Sequence, residues 1–138
     1  MTKHKKIYYV DGSAITGHLY HSAYAIFKEK RIIKQKVIPK KFNVYEIESI
    51  AILDCIILAK VDSIIYCDNQ QIVEELNDKQ TPKDIEFYIK AKHLIKSKNL
   101  KILKIKRDKN LAGIYLEKRI SKIKGKYLNK GKYSNRRI

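Results

Sequence analysis

Cysteine, proline, glycine and acidic residues are all scarce in this chain, and tryptophan is absent. The two cysteines, Cys55 and Cys67, lie in strongly apolar stretches and fit neither a disulfide framework nor a zinc-ligand spacing, so they read as buried, reduced thiols. Long hydrophobic runs are missing too. The longest, around residues 47–61, is broken by Glu48, Asp54 and Lys60 and falls short of a bilayer span. The basic start, residues 1–6, runs into a short strand and Asp11 rather than the apolar core of a signal peptide. These absences make a soluble, cytoplasmic protein the expectation. The shortage of acid matters most, because 14 Asp and Glu face 31 Lys and Arg, a net charge of +17. Such a positive field favours a polyanionic partner, and nucleic acid is the first candidate. Binding to an anionic membrane would need a basic amphipathic helix, which the basic terminal segments do not show.

What is present suffices for a packed core. The apolar share is 44%, and 138 residues correspond to one domain without staples. Residues 6–10, 19–28 and 32–38 carry strand patterns with short connections, the last bounded by Pro39, and so predict an antiparallel meander. Asn43 can cap a helix over 44–60 that is apolar on most faces. A strand at 62–67, a short helix at 69–77 and a helix at 83–97 follow, with Pro82 at the start of the last. A strand at 100–106 and a helix at 110–122 complete the pattern. The expected class is α/β: a mixed five-stranded sheet, three strands in a meander plus two reached by crossovers, flanked by helices. Residues 1–120 form the domain. From Ser121 to Ile138 seven basic residues and no acidic one predict a flexible basic tail.

Two strand patterns run into aspartates. Ile7–Val10 leads to Asp11-Gly12-Ser13, and 57 residues later Ile64–Cys67 leads to Asp68-Asn69. Asp, Asn and Gly also suit ordinary turns. If the two strands are neighbours, however, the carboxylates come together, and such a pair repels unless a cation lies between them. The four histidines, His4, His18, His21 and His93, show no ligand spacing.

The element order and these motifs together resemble the type 1 ribonuclease H family of the ribonuclease H-like superfamily, over residues 6 to about 120. The matching segments are Asp11-Gly12-Ser13, a glutamate in the first helix, Asp68-Asn69-Gln70, and the stretch Arg107 to Glu117 with Arg107, Asn110 and Leu116 in register. The resemblance implies a metal-dependent nuclease that cleaves the RNA strand of RNA/DNA hybrids, with Asp11, Glu48 and Asp68 holding Mg²⁺ or Mn²⁺. It implies substrate contacts from Gly12, Ser13, Asn69, Gln70, Arg107 and Asn110. Glu46 competes with Glu48 for the helix position, because Asn43 three residues before it also fits some family members. Counting from Glu48, Ala51, Ile52, Cys55, Ile56 and Ala59 form one small, apolar helical face, whereas Glu46 would share its face with Asp54. The family's fourth carboxylate is replaced by Ile114, which predicts slow or Mn²⁺-favouring activity. The basic protrusion and the mobile histidine of some members have no counterpart, so hybrid affinity is expected from the tail, including Tyr127 and Tyr133. A non-catalytic nucleic-acid-binding module and a junction-resolving nuclease remain as alternatives on the same fold.

Overall fold

The computed structural model describes residues 6–15 and 21–122. The expected flexible tail beyond residue 122, the connection at Gly17-His18, the first residues of the expected second strand, and His4 and His18 lie outside the described residues. Five strands form one mixed sheet in the order β3-β2-β1-β4-β5. Strands β1 (Ile7–Ile15), β2 (His21–Lys28) and β3 (Arg31–Ile38) make the antiparallel meander. β4 (Ile64–Cys67) and β5 (Lys101–Lys104) join it in parallel. Helices α1 (Val44–Leu58), α2 (Gln70–Leu76) and α3 (Ile85–Lys98) make the crossovers, and α4 occupies residues 111–122. The expected fold class is the observed one.

Both faces of the sheet are covered, and β2 shows how one strand serves two layers. Its side chains alternate, so Tyr24 and Ile26 enter the main core with α1, while Ala23 and Ala25 face Ala112 and Leu116 of α4. Large residues fill the α1 side, and alanines let α4 lie close on the other. The α1 face with Ala51, Ile52, Cys55, Ile56 and Ala59 is buried against the sheet.

Helix ends are satisfied by named side chains. Asn43 Oδ1 accepts from Glu46 N–H at 2.8 Å, and Glu46 Oε1 accepts from Asn43 N–H at 3.0 Å, a reciprocal capping box. At the other end of α1, Lys98 Nζ donates to the carbonyls of Ile56, Ile57 and Ala59 at 3.0, 2.7 and 2.9 Å. That ammonium from α3 compensates both the orphan carbonyls and the negative end of the α1 dipole. The start of α3 differs from expectation. Asp84, not a residue beside Pro82, is its cap, because the Asp84 carboxylate accepts from Phe87 N–H at 3.2 Å.

Candidate active site

Asp11 is not at a strand end, as its turn-like neighbours suggest. β1 continues to Ile15, with Asp11 opposite Ala25, Gly12 opposite Tyr24 and Ser13 opposite Ala23. What stops at this point is β4, whose pairing with β1 ends at Val10 opposite Cys67. Asp11 and Asp68 are therefore the next residues of two adjacent parallel strands, where β4 leaves the sheet and a gap opens beside β1.

Alternation turns Gly12 toward α1, and its missing side chain sets the distance between helix and strand. A Cβ on Gly12 would lie 2.8 Å from the Ile47 carbonyl oxygen. This close approach lets Glu48 Oε1 accept from Gly12 N–H at 3.1 Å. Glu48 is buried, and Glu46 is exposed with its carboxylate engaged in the cap. Carboxylate oxygens of Asp11, Glu48 and Asp68 all lie within 4.8 Å of one another. Glu48, rather than Glu46, joins the two aspartates. Among the described residues this is the one such cluster of possible metal ligands.

Concentrating three acids here has an electrostatic consequence. Burial, followed by the hydrogen bond and charge of Glu48 and then the charge of Asp68, pushes the Asp11 carboxyl from 3.8 to about 9, with Arg107 opposing. Folded, the metal-free protein holds this proton up to about pH 9, whereas the unfolded chain releases it near 3.8. Between those values the native state binds the extra proton, so stability falls as pH rises through that window. Asp11→Asn removes the titrating group. At pH 8 without divalent ions the variant is expected to be more stable than the parent by about 1–2 kcal/mol, and the advantage shrinks toward pH 5. Urea unfolding at the two pH values measures this, and an unchanged or lower stability at pH 8 contradicts it.

The other expected site residues divide into two groups. Ser13 is half-buried on β1; Asn69 caps α2, accepting from Ile72 N–H at 3.1 Å. Gln70 is exposed and bonds Glu74 at 3.3 Å, and Arg107 is exposed, 3.5 Å from Glu117. Asn69 and Gln70 thus engage partners within α2, and Arg107 is near enough for its charge to lower the Asp11 carboxyl. Asn110 differs. It is fully buried, its Nδ2 donates to Val10 O at 3.0 Å and to Asp68 Oδ2 at 3.2 Å, and its Oδ1 accepts from Ala112 N–H at 3.2 Å. Its amide fastens α4 to β1 and holds the Asp68 carboxylate in place.

Sequence reasoning missed Gly113. Ile114 is half-buried, and the residue before it brings α4 close to the acids: a Cβ on Gly113 would stand 3.4 Å from Asp11 Oδ2 and 3.6 Å from Asp68 Oδ2. A glycine inside a helical pattern was the available signal.

No protein-family model matches the chain, and no curated protein matches it in sequence. Solved structures do match. The N-terminal RNase H domain of a Mycobacterium tuberculosis protein aligns with a TM-score of 0.65 at 15% identity, covering 82% of this chain and 94% of its own. RNase H1 from the halophilic archaeon Halobacterium salinarum aligns at 0.60 and 14%, covering 83% and 99%. LC11-RNase H1, in a crystal structure with an RNA/DNA hybrid, aligns at 0.58 and 18%, covering 77% and 88%. No helix among the described residues is long and apolar enough to cross a membrane. With its sheet order, its helices on both faces and these structural neighbours, the chain has the ribonuclease H-like fold.

Proposed function

We propose that this protein is a divalent-metal-dependent endonuclease that hydrolyses the RNA strand of RNA/DNA hybrids. The observation that carries this reading is the convergence of Asp11, Glu48 and Asp68 at the point where β4 leaves the sheet. The donors fit Mg²⁺ or Mn²⁺, since all are carboxylate oxygens, and burial together with the crowding of Glu48 and Asp68 raises Asp11, a crowding that a bound cation would relieve. Divalent ions held there would supply water activation and stabilisation of the leaving oxygen. The protein's own part is to fix the carboxylates: Gly12 N–H orients Glu48, and Asn110 orients Asp68. Ser13, Asn69, Gln70 and Arg107 are the residues that would meet the 2′-hydroxyls and phosphates that distinguish RNA, whereas the buried Gly12 N–H is already committed to Glu48. One neighbour of this fold was crystallised with such a hybrid.

With Ile114 in place of a fourth acid, the site holds three carboxylates, which favours slow turnover and Mn²⁺ over Mg²⁺. The test is cleavage of an RNA/DNA hybrid, double-stranded RNA and a four-way DNA junction, each with Mg²⁺ and with Mn²⁺. The expected outcome is cutting of the hybrid RNA strand, faster with Mn²⁺. Salt-sensitive binding with no turnover by either ion, or preferential cutting of the junction, refutes the proposal.

A further inference from the structure

The chain between β5 and α4 is held at both ends and projects outward between them. Ile105 N–H donates to Cys67 O at 3.0 Å, and the buried Asn110 bonds Val10 and Asp68. Between these anchors, a tight turn at Arg107–Lys109 leaves Lys106, Arg107, Asp108 and Lys109 exposed. Lys104, also exposed, pairs in register with the buried Cys67 and therefore lies on the α1 side of the sheet, away from the face on which Asp11 meets α4. Among the described residues, the side chains of Lys106 and Lys109, which flank Arg107, make no ion pair and no hydrogen bond. Arg107 is close enough for its charge to act on Asp11.

This arrangement is electrostatically adverse for a cation site considered alone. Positive charges beside the carboxylates repel any metal ion that binds there. The repulsion is relieved when a polyanion crosses both the acids and the lysines, as a nucleic-acid strand with its regularly spaced phosphates does. We infer that Lys106 and Lys109, on the turn anchored beside Asp68, form a phosphate-binding ridge that holds the nucleic-acid backbone on the β5 side of the carboxylate cluster. The inference rests on the proposed function for its substrate class, but it is a statement about binding and is tested without turnover. It also assigns affinity to the folded domain, where the sequence alone pointed to the tail.

The measurement is hybrid affinity as a function of salt for the full chain carrying Asp68→Asn, so that the substrate stays intact. One variant adds Lys106→Ala and Lys109→Ala. A control adds Lys30→Ala and Lys60→Ala, two exposed basic residues at the opposite end of the sheet. The ridge variant is expected to bind roughly tenfold more weakly, with a salt slope shallower by about 2, and the control to lose much less. Equal losses in the two variants mean diffuse attraction by net charge and overturn the inference. A ridge variant that keeps hybrid affinity but loses binding to phosphatidylserine/phosphatidylcholine vesicles overturns it in favour of a membrane surface. Failure of the unsubstituted protein to cleave any hybrid refutes the proposed function and leaves this binding result to stand or fall separately.

Discussion

Asp68→Asn is expected to reduce hybrid cleavage by about a thousandfold or more, corresponding to about 4 kcal/mol of lost transition-state stabilisation. The substitution changes charge and keeps shape, so the expected loss belongs to the site. Asn110 Nδ2 donates to Asp68 Oδ2, and an amide oxygen at residue 68 can accept the same bond. The fold has no need of the Asp68 charge, whose repulsion helps to keep Asp11 protonated. Single-turnover rates together with a thermal melt separate the two effects. A rate within tenfold of the parent, in a variant that melts normally, removes Asp68 from the catalytic set.

Gly12→Ala is expected to destabilise the protein by about 2–3 kcal/mol. The added Cβ would meet Ile47 O at 2.8 Å, Ile47 C at 3.0 Å and Glu48 N at 3.1 Å. All three are backbone atoms and cannot rotate aside, so relief requires α1 to lift from β1. That movement loosens Ile47, Ile52, Cys55 and Ile56, all fully buried, and lengthens the bond from Gly12 N–H to Glu48. Stability and activity should therefore fall together. Gly113→Ala provides the contrast: its nearest contact, 3.4 Å to Asp11 Oδ2, is ordinary packing, and alanine favours a helix by about 1 kcal/mol over glycine. Urea unfolding of both variants checks this, and a Gly12→Ala protein as stable as the parent would show that α1 does not rest on Gly12.

The fold was legible where pattern and packing agree. The α1 face containing Glu48, Ala51, Ile52 and Cys55 could be read from helical spacing, and those residues are buried against the sheet. Asp11 was harder to read, because Asp-Gly-Ser is turn-like locally, and only pairing with Ala25, Tyr24 and Ala23 of β2 keeps it in a strand. Pro82 misled for a related reason. Proline suits a helix start but supplies no cap, whereas Asp84 does. Asn110 and Gly113 depend on contacts between segments 42 to 102 residues apart, such as the Asn110–Asp68 bond and the approach of Gly113 to Asp11. No local pattern encodes those distances.

The most direct test of the central claim is a Mn²⁺ titration of the protein without nucleic acid, followed by calorimetry or electron paramagnetic resonance. Asp11→Asn, Glu48→Gln and Asp68→Asn are each expected to weaken binding by roughly tenfold or more, in line with the loss of one charged oxygen ligand. Glu46→Gln, which touches only the α1 cap, is expected to leave Mn²⁺ binding unchanged. Binding that survives in all three site variants, or is lost in Glu46→Gln instead of Glu48→Gln, would contradict a metal site built from Asp11, Glu48 and Asp68.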